Sequence, residues 1–251
     1  MNSFLSWIGG KKLLRKKICE QFPKEYKEYV EVFGGAGWIL FNEERAGKVE
    51  IYNDYNSELV NLFRCVKYHA EEVKKELKYL LNSREIFQDF LEQYNRRGLT
   101  DIQKAVRFFT IIKISYGAKL TTFGSCKRNI NNMINMLEEI QKRLNTVIIE
   151  NEDFEKLIKK QDKEKTFFYL DPPYFGTEKY YKNVEFSNED HERLYNVLKN
   201  VKGNFLITYN DCEYIRNLYK EFNIEEVERF SNLTAALDKK KNYKEILIKN
   251  Y

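Results

Sequence analysis

The sequence predicts an α/β fold: a mostly parallel seven-stranded sheet with an antiparallel edge strand, helices on both faces and one helical insertion. Three observations predict it. Short apolar or β-branched runs alternate with segments whose apolar residues recur at helical spacing, the pattern of parallel strands joined by helices. The run Thr166-Phe167-Phe168-Tyr169-Leu170 is apolar throughout and ends abruptly in Asp171-Pro172-Pro173-Tyr174, as expected of a buried strand closed by a turn. From about residue 70 to 144 the pattern is helical and charged with no strand signal, and that is too long for a loop in a compact domain.

In chain order, residues 13–22 carry apolar positions at helical spacing, and residues 29–33 read as the first strand. Gly34-Gly35-Ala36-Gly37 then turns the chain into residues 38–44, which have helical potential. Residues 49–53 read as the second strand and 58–66 as the helix after it. The insertion follows. At its middle, Ser115-Tyr116-Gly117-Ala118-Lys119-Leu120-Thr121-Thr122-Phe123-Gly124-Ser125 mixes glycines, small polar residues and aromatics, which predicts an exposed loop. Beyond it come strands at 147–150, 166–170 and 204–209, with helices at 154–159, 190–198 and 213–222. Strands at 224–230 and 245–249 are linked by Asp238-Lys239-Lys240-Lys241-Asn242. That link is too short for a helical crossover and predicts an antiparallel pair.

A hydrophobic content of 43% and an aromatic content of 15% are ample for a buried core. The net charge of +5 is mildly basic, compatible with a nucleic-acid partner. No apolar run reaches membrane-spanning length, and residues 1–7 lack a basic segment followed by an apolar one, so an intracellular, cytoplasmic protein is expected. Cys19, Cys65, Cys126 and Cys212 are scattered, and His69 and His191 are the only histidines. Structural zinc, a disulfide framework and a Ser-His-Asp triad are therefore not expected, and no metal is.

Two of the three prolines stand in the Asp171–Tyr174 motif. They fix the backbone and remove two N–H donors. The Asp171 carboxylate and the Pro172 carbonyl then form an acceptor array beside the flat ring of Tyr174, and an exocyclic amino group on a planar base fits that array. The glycines from Gly34 to Gly37 allow close approach of a ligand, and with no Gly-Lys-Ser/Thr after them they are not a phosphate loop. Asp54, at the tip of the second strand, suits a ribose diol or a helix N-cap. Asp153 followed by Phe154, after the third strand, suits an adenine ring or again an N-cap. Trp7-Ile8-Gly9-Gly10-Lys11 either folds over a cofactor or packs into the core.

Taken together and in this order, the motifs resemble the Dam-type (D12 class, α-group) DNA adenine-N6 methyltransferases, and the resemblance spans nearly the whole chain. The matching segments are residues 4–11, Phe33-Gly34-Gly35-Ala36-Gly37, Asn53-Asp54-Tyr55-Asn56-Ser57-Glu58-Leu59, Asp171–Tyr174, residues 205–211 and residues 245–251. The resemblance implies a Rossmann-like methyltransferase sheet at 1–69 and 145–251, with a target-recognition insertion at 70–144. It implies S-adenosylmethionine as methyl donor, held by Trp7, Lys11, Phe33, Gly35, Gly37, Asp54, Asp153, Phe154 and Asp171. Catalysis would fall to Asp171, Pro172 and Tyr174. Double-stranded DNA would be met by Tyr116, Lys119, Lys127 and Arg128, with Lys239–Lys241 as further phosphate contacts, by a monomer or by a dimer on DNA. Three departures stand out: Val32 between Glu31 and Phe33, Ser6 before Trp7, and a recognition hairpin shortened to Tyr116–Gly124. The last removes any basis for carrying over the GATC target.

The implied reaction is methyl transfer to the N6 of a flipped-out adenine. The same acceptors would serve cytosine N4 or adenine in RNA, and a relative that had lost catalysis would act by occupancy alone.

Overall fold

In the computed structural model the described residues are 1–7, 9–42, 46–94, 96–116, 120–124, 130–177, 186–230 and 242–251. A short helix α1 (Arg15–Glu20) precedes the sheet, whose strands are β1 (Glu28–Glu31), β2 (Val49–Asn53), β3 (Val147–Glu150), β4 (Thr166–Leu170), β5 (Asn204–Asn210), β6 (Asn223–Phe230) and β7 (Asn242–Lys249). Helix α2 (Ser57–Tyr68) follows β2. The insertion contains α3 (Ala70–Lys78), α4 (Arg84–Gln93), α5 (Asp101–Ile114) and α6 (Ile130–Leu144). Helices α7 (Phe154–Gln161), α8 (Asn188–Leu198) and α9 (Glu213–Leu218) follow β3, β4 and β5.

The seven strands form one sheet in the order β3-β2-β1-β4-β5-β7-β6. All pairings from β3 through β5 are parallel. At the far end β7 runs antiparallel to both β5 and β6, which is the antiparallel pairing expected from the short link between the last strands. The strand order reverses between β1 and β4, so the two halves of the sheet diverge there and leave a crevice at the C-terminal strand ends.

Alternate strand residues point to opposite faces, and each face has its own core. Tyr29, Tyr52, Phe167, Tyr169 and Leu206 join α2, α5 and α6 on one side. Val30, Ile51, Phe168, Leu170, Phe205 and Ile207 join α7, α8 and α9 on the other. The strand runs lack polar alternation because both faces are covered.

The insertion is helical as expected, and its helices share the sheet's core. Ala105, Phe108, Phe109 and Ile112 of α5, with Leu137, Ile140 and Leu144 of α6, pack in the same cluster as Phe63 of α2 and Tyr52 of β2. Only Phe87, Ile111 and Ile114 form a separate small cluster within it.

Three helical segments fall short of the sequence reading. The helical potential at 38–44 is realised as turns over 38–42, and residues 43–45 lie outside the described residues. Trp38, Ile39, Leu40 and Phe41 are all buried, so tertiary packing on every side overrides helical preference. Helix α1 is limited to Arg15–Glu20 and α9 to Glu213–Leu218, with the flanking predicted residues in turns and bends. Among the described residues no helix is long and apolar enough to cross a membrane.

Candidate active site

Four strand ends lie side by side at the crevice: β3 leading to Asp153, β2 to Asp54, β1 to the glycine turn and β4 to Asp171. Neighbouring strands are about 4.8 Å apart, so the row spans roughly 14 Å. Val32 N–H donates to the Tyr169 carbonyl at 3.0 Å, which fixes the glycine turn beside the Asp171 motif.

Asp171 receives Thr208 Oγ1–H at 2.7 Å on Oδ1 and lies against the Lys11 ammonium, 2.6 Å from Oδ1 and 2.7 Å from Oδ2. Lys11 is buried, donates also to the Gly9 carbonyl at 2.9 Å, and sits 4.7 Å from the centroid of the Tyr174 ring. Burial raises the Asp171 carboxyl above the usual range, while Lys11 and the Thr208 hydroxyl pull it back down. The Tyr174 hydroxyl donates to Glu245 Oε2 at 2.6 Å, and Glu245 is buried on β7. Asp171, Tyr174 and Lys11 thus meet in one cluster. Thr208 and Glu245 complete it, and neither was singled out beforehand. The signal for Glu245 was a carboxylate directly before the apolar run Ile246-Leu247-Ile248, where an unpartnered buried charge would be costly.

The glycine turn is built for close approach. Gly35 and Gly37 have positive φ of 50° and 67°. A Cβ on Gly34 would lie 2.2 Å from Tyr52 Cε2, and one on Gly35 would lie 3.1 Å from Trp7 Cδ1. Asp54 Oδ2 accepts Gly35 N–H at 2.8 Å, and Oδ1 accepts Asn56 N–H at 2.8 Å. Burial raises the Asp54 carboxyl, against those two amide hydrogen bonds. Asp54 does not cap α2; Asn56 does, accepting from Glu58 and Leu59 N–H.

Asp153 is the N-cap of α7, accepting from Glu155 and Lys156 N–H through Oδ1, and its Oδ2 accepts from Arg193 at 2.8 Å. Arg193 also lies 4.6 Å from the Phe154 ring centroid. Phe154 and Phe33 approach to 5.6 Å between centroids, which puts two aromatic faces at the end of the row. The other carboxylate near the crevice is Glu31, fully buried at the end of β1 and bonded by the Tyr29 hydroxyl at 2.8 Å. Desolvation pushes it up to about 8.

Tyr116 is 66% exposed. Its loop folds back on itself: Ser115 pairs antiparallel with Phe123, and Tyr116 N–H donates to the Thr122 carbonyl at 2.7 Å. Lys119, Lys127, Arg128 and Lys239–Lys241 lie outside the described residues.

The arrangement can hold an extended nucleoside-like ligand along the strand ends and present an amino group to Asp171. Comparison with known proteins points the same way. The sequence profile of D12 class N6 adenine-specific DNA methyltransferases matches residues 7–233. The chain is 28% identical over 282 residues to the type II methyltransferase M1.LlaDCHI of Lactococcus lactis subsp. cremoris, covering 100% of this chain and 96% of that one. It is 25% identical over 265 residues to the type II methyltransferase M.CviBI of Paramecium bursaria Chlorella virus NC1A, with 100% of both chains covered. A DNA adenine methylase of Haemophilus influenzae is 23% identical, over 97% of this chain and 92% of its own. A profile match over most of the length shows that the chain belongs to the D12 class of N6 adenine-specific DNA methyltransferases.

Proposed function

We propose that the protein transfers a methyl group from S-adenosylmethionine to the N6 of an adenine flipped out of double-stranded DNA. The observation that carries this reading is the row of strand ends, with Asp171 at one end of it and the Phe33–Phe154 pair at the other. The donor fits the residues present. The glycines let the turn pack tightly on Tyr52 and Trp7 at the strand ends, Asp54 offers acceptors for a ribose diol, Phe33 and Phe154 offer a stacking face, and Asp153 lies beside them for an adenine amino group. Trp7 and Gly37 shape the turn around it.

When bound, S-adenosylmethionine supplies a methyl group on a sulfonium that is its own leaving group. The residues of this chain therefore need only position and polarise the acceptor nitrogen. The lone pair of adenine N6 is delocalised into the ring. Acceptance of its hydrogens by Asp171 and the Pro172 carbonyl favours a more tetrahedral, more nucleophilic nitrogen. These bonds strengthen as positive charge grows on nitrogen, so they stabilise the transition state more than the ground state. A carboxylate offers about four lone-pair directions. Thr208 takes one of them on Oδ1 and the Lys11 ammonium lies against both oxygens, so the remaining direction serves the base. Lys11 and Thr208 offset part of the rise that burial imposes on the Asp171 carboxyl. Tyr174, held through its hydroxyl by Glu245, stacks on the flipped base, worth about 1–3 kcal/mol.

The insertion, from its Tyr116 loop through Lys119, Lys127 and Arg128, meets the duplex in this reading, and a monomer suffices. The test is transfer of labelled methyl to unmethylated genomic DNA followed by nucleoside analysis. N6-methyladenine supports the reading; N4-methylcytosine, methylation of RNA alone, or no product overturns it.

A further inference from the structure

The surplus positive charge of the chain is concentrated in one place. Residues 1–19 contain Lys11, Lys12, Arg15, Lys16 and Lys17 and no acidic residue, a charge equal to the +5 of the whole chain. The rest of the molecule is balanced. Lys11 is buried against Asp171, whereas Lys12 and Lys16 are exposed and Arg15 is half-buried.

Lys12, Arg15 and Lys16 stand at i, i+3 and i+4. Arg15 N–H donates to the Lys11 carbonyl at 2.8 Å, so the helical turn that puts these three on one face begins at Lys11. Leu14 and Ile18 are buried on the opposite face. Lys12 and Arg15 each lie 5.6 Å from the centroid of the Trp38 ring, and the Arg15 guanidinium donates to Asn2 Oδ1 at 2.7 Å. Among the described residues no carboxylate forms an ion pair with Lys12, Arg15 or Lys16. Elsewhere on this surface exposed lysines commonly pair with neighbouring acids, as Lys156 does with Glu152 and Lys159 with Glu155. Lys12 and Arg15 on an aromatic platform, with exposed Lys16 beside them and no carboxylate paired to any of the three among the described residues, present their field to an outside anion.

We infer that Lys12, Arg15 and Lys16 form a second DNA-backbone contact, on the catalytic domain and separate from the insertion loop. Adjacent Cα atoms are about 3.8 Å apart, so the face begins one residue from the Lys11–Asp171 pair, where phosphates flanking a flipped base must pass. Charge complementarity selects the polyanionic duplex. The contact carries no sequence information and sets register and orientation, as phosphate contacts do. The inference rests on the methyl-transfer reading above.

The test is duplex binding measured as a function of salt. Each phosphate neutralised adds about 0.9 to the slope of log affinity against log salt. The variant Lys12→Gln/Arg15→Gln/Lys16→Gln is expected to lower the slope by about 2–3 and to weaken low-salt binding at least tenfold. S-adenosylmethionine affinity in the same protein should stay within twofold of wild type, which shows that the fold is intact. The charge-keeping variant Lys12→Arg/Arg15→Lys/Lys16→Arg is expected to retain the wild-type slope. An unchanged slope in the neutral variant overturns the inference, as does an equal loss in the charge-keeping one. If wild-type protein methylates DNA while the neutral variant keeps its slope, only this surface is rejected. If wild-type protein neither binds nor methylates DNA, the functional reading fails and takes the inference with it.

Discussion

At the residue scale, Asp171 is held between opposing effects. Burial disfavours its charge, and Lys11 and Thr208 favour it. Tyr174 is tied to a second buried carboxylate, Glu245. Tyr174→Phe keeps the stacking ring and deprives Glu245 of a donor, so a loss of about 1–3 kcal/mol is expected in guanidinium unfolding. Glu31 gives a pH signature. Its folded carboxyl is pushed up to about 8 from an ordinary 4.5. The folded state therefore holds a proton that the unfolded state releases between those values, and stability from this group falls as pH rises through about 8. Glu31→Gln cannot ionise. Relative to it, wild type should lose on the order of a few kcal/mol between about pH 5 and pH 8.5, read by urea unfolding at each pH. Asp171 and Tyr174 were legible in the sequence because two prolines and an abrupt strand end mark them locally. Their supports were not: Thr208 and Glu245 come from 37 and 71 positions away, and only the strand order brings them in. Asp153 had two readings: it caps α7 and pairs with Arg193, and its adenine role belongs to the proposed function.

At the element scale, the turn after β1 is the most constrained segment. Gly34 is pressed on the Tyr52 ring, which is itself stacked on Phe63 at 4.2 Å and hydrogen-bonded through its hydroxyl to the Gly35 carbonyl at 2.6 Å. The ring has little room to yield. Gly34→Ala should cost about 1–3 kcal/mol and weaken cofactor binding, checked by calorimetric titration and thermal unfolding. Strand positions were legible to within a few residues, because continuous apolar runs between turn signals have few other readings. The 38–42 segment was not, since its four consecutive buried side chains give no amphipathic face to read.

At the scale of the whole molecule, the insertion and the sheet are joined by more than their connecting chain. Arg143 near the end of α6 makes a bidentate pair with buried Glu50 of β2, at 2.8 and 2.7 Å, and also donates to the Leu40 carbonyl at 2.9 Å. Arg143→Met leaves Glu50 buried without that cation and should cost about 3–5 kcal/mol. Because α5 and α6 share the sheet's core, urea unfolding of wild type should show one transition by both fluorescence and circular dichroism; two separated transitions would contradict this coupling. The helical character of residues 70–144 was visible in the sequence. Its fusion to the core was not, because contacts between α5 and the N-terminal segment, such as Phe109 against Phe4, depend on the tertiary fold. The proposed activity turns on one acceptor, Asp171, and the most direct measurement is single-turnover methyl transfer to duplex DNA by Asp171→Ala, with S-adenosylmethionine affinity determined in the same preparation. The account predicts loss of N6-methyladenine formation with measurable cofactor binding; transfer at the wild-type rate would contradict it.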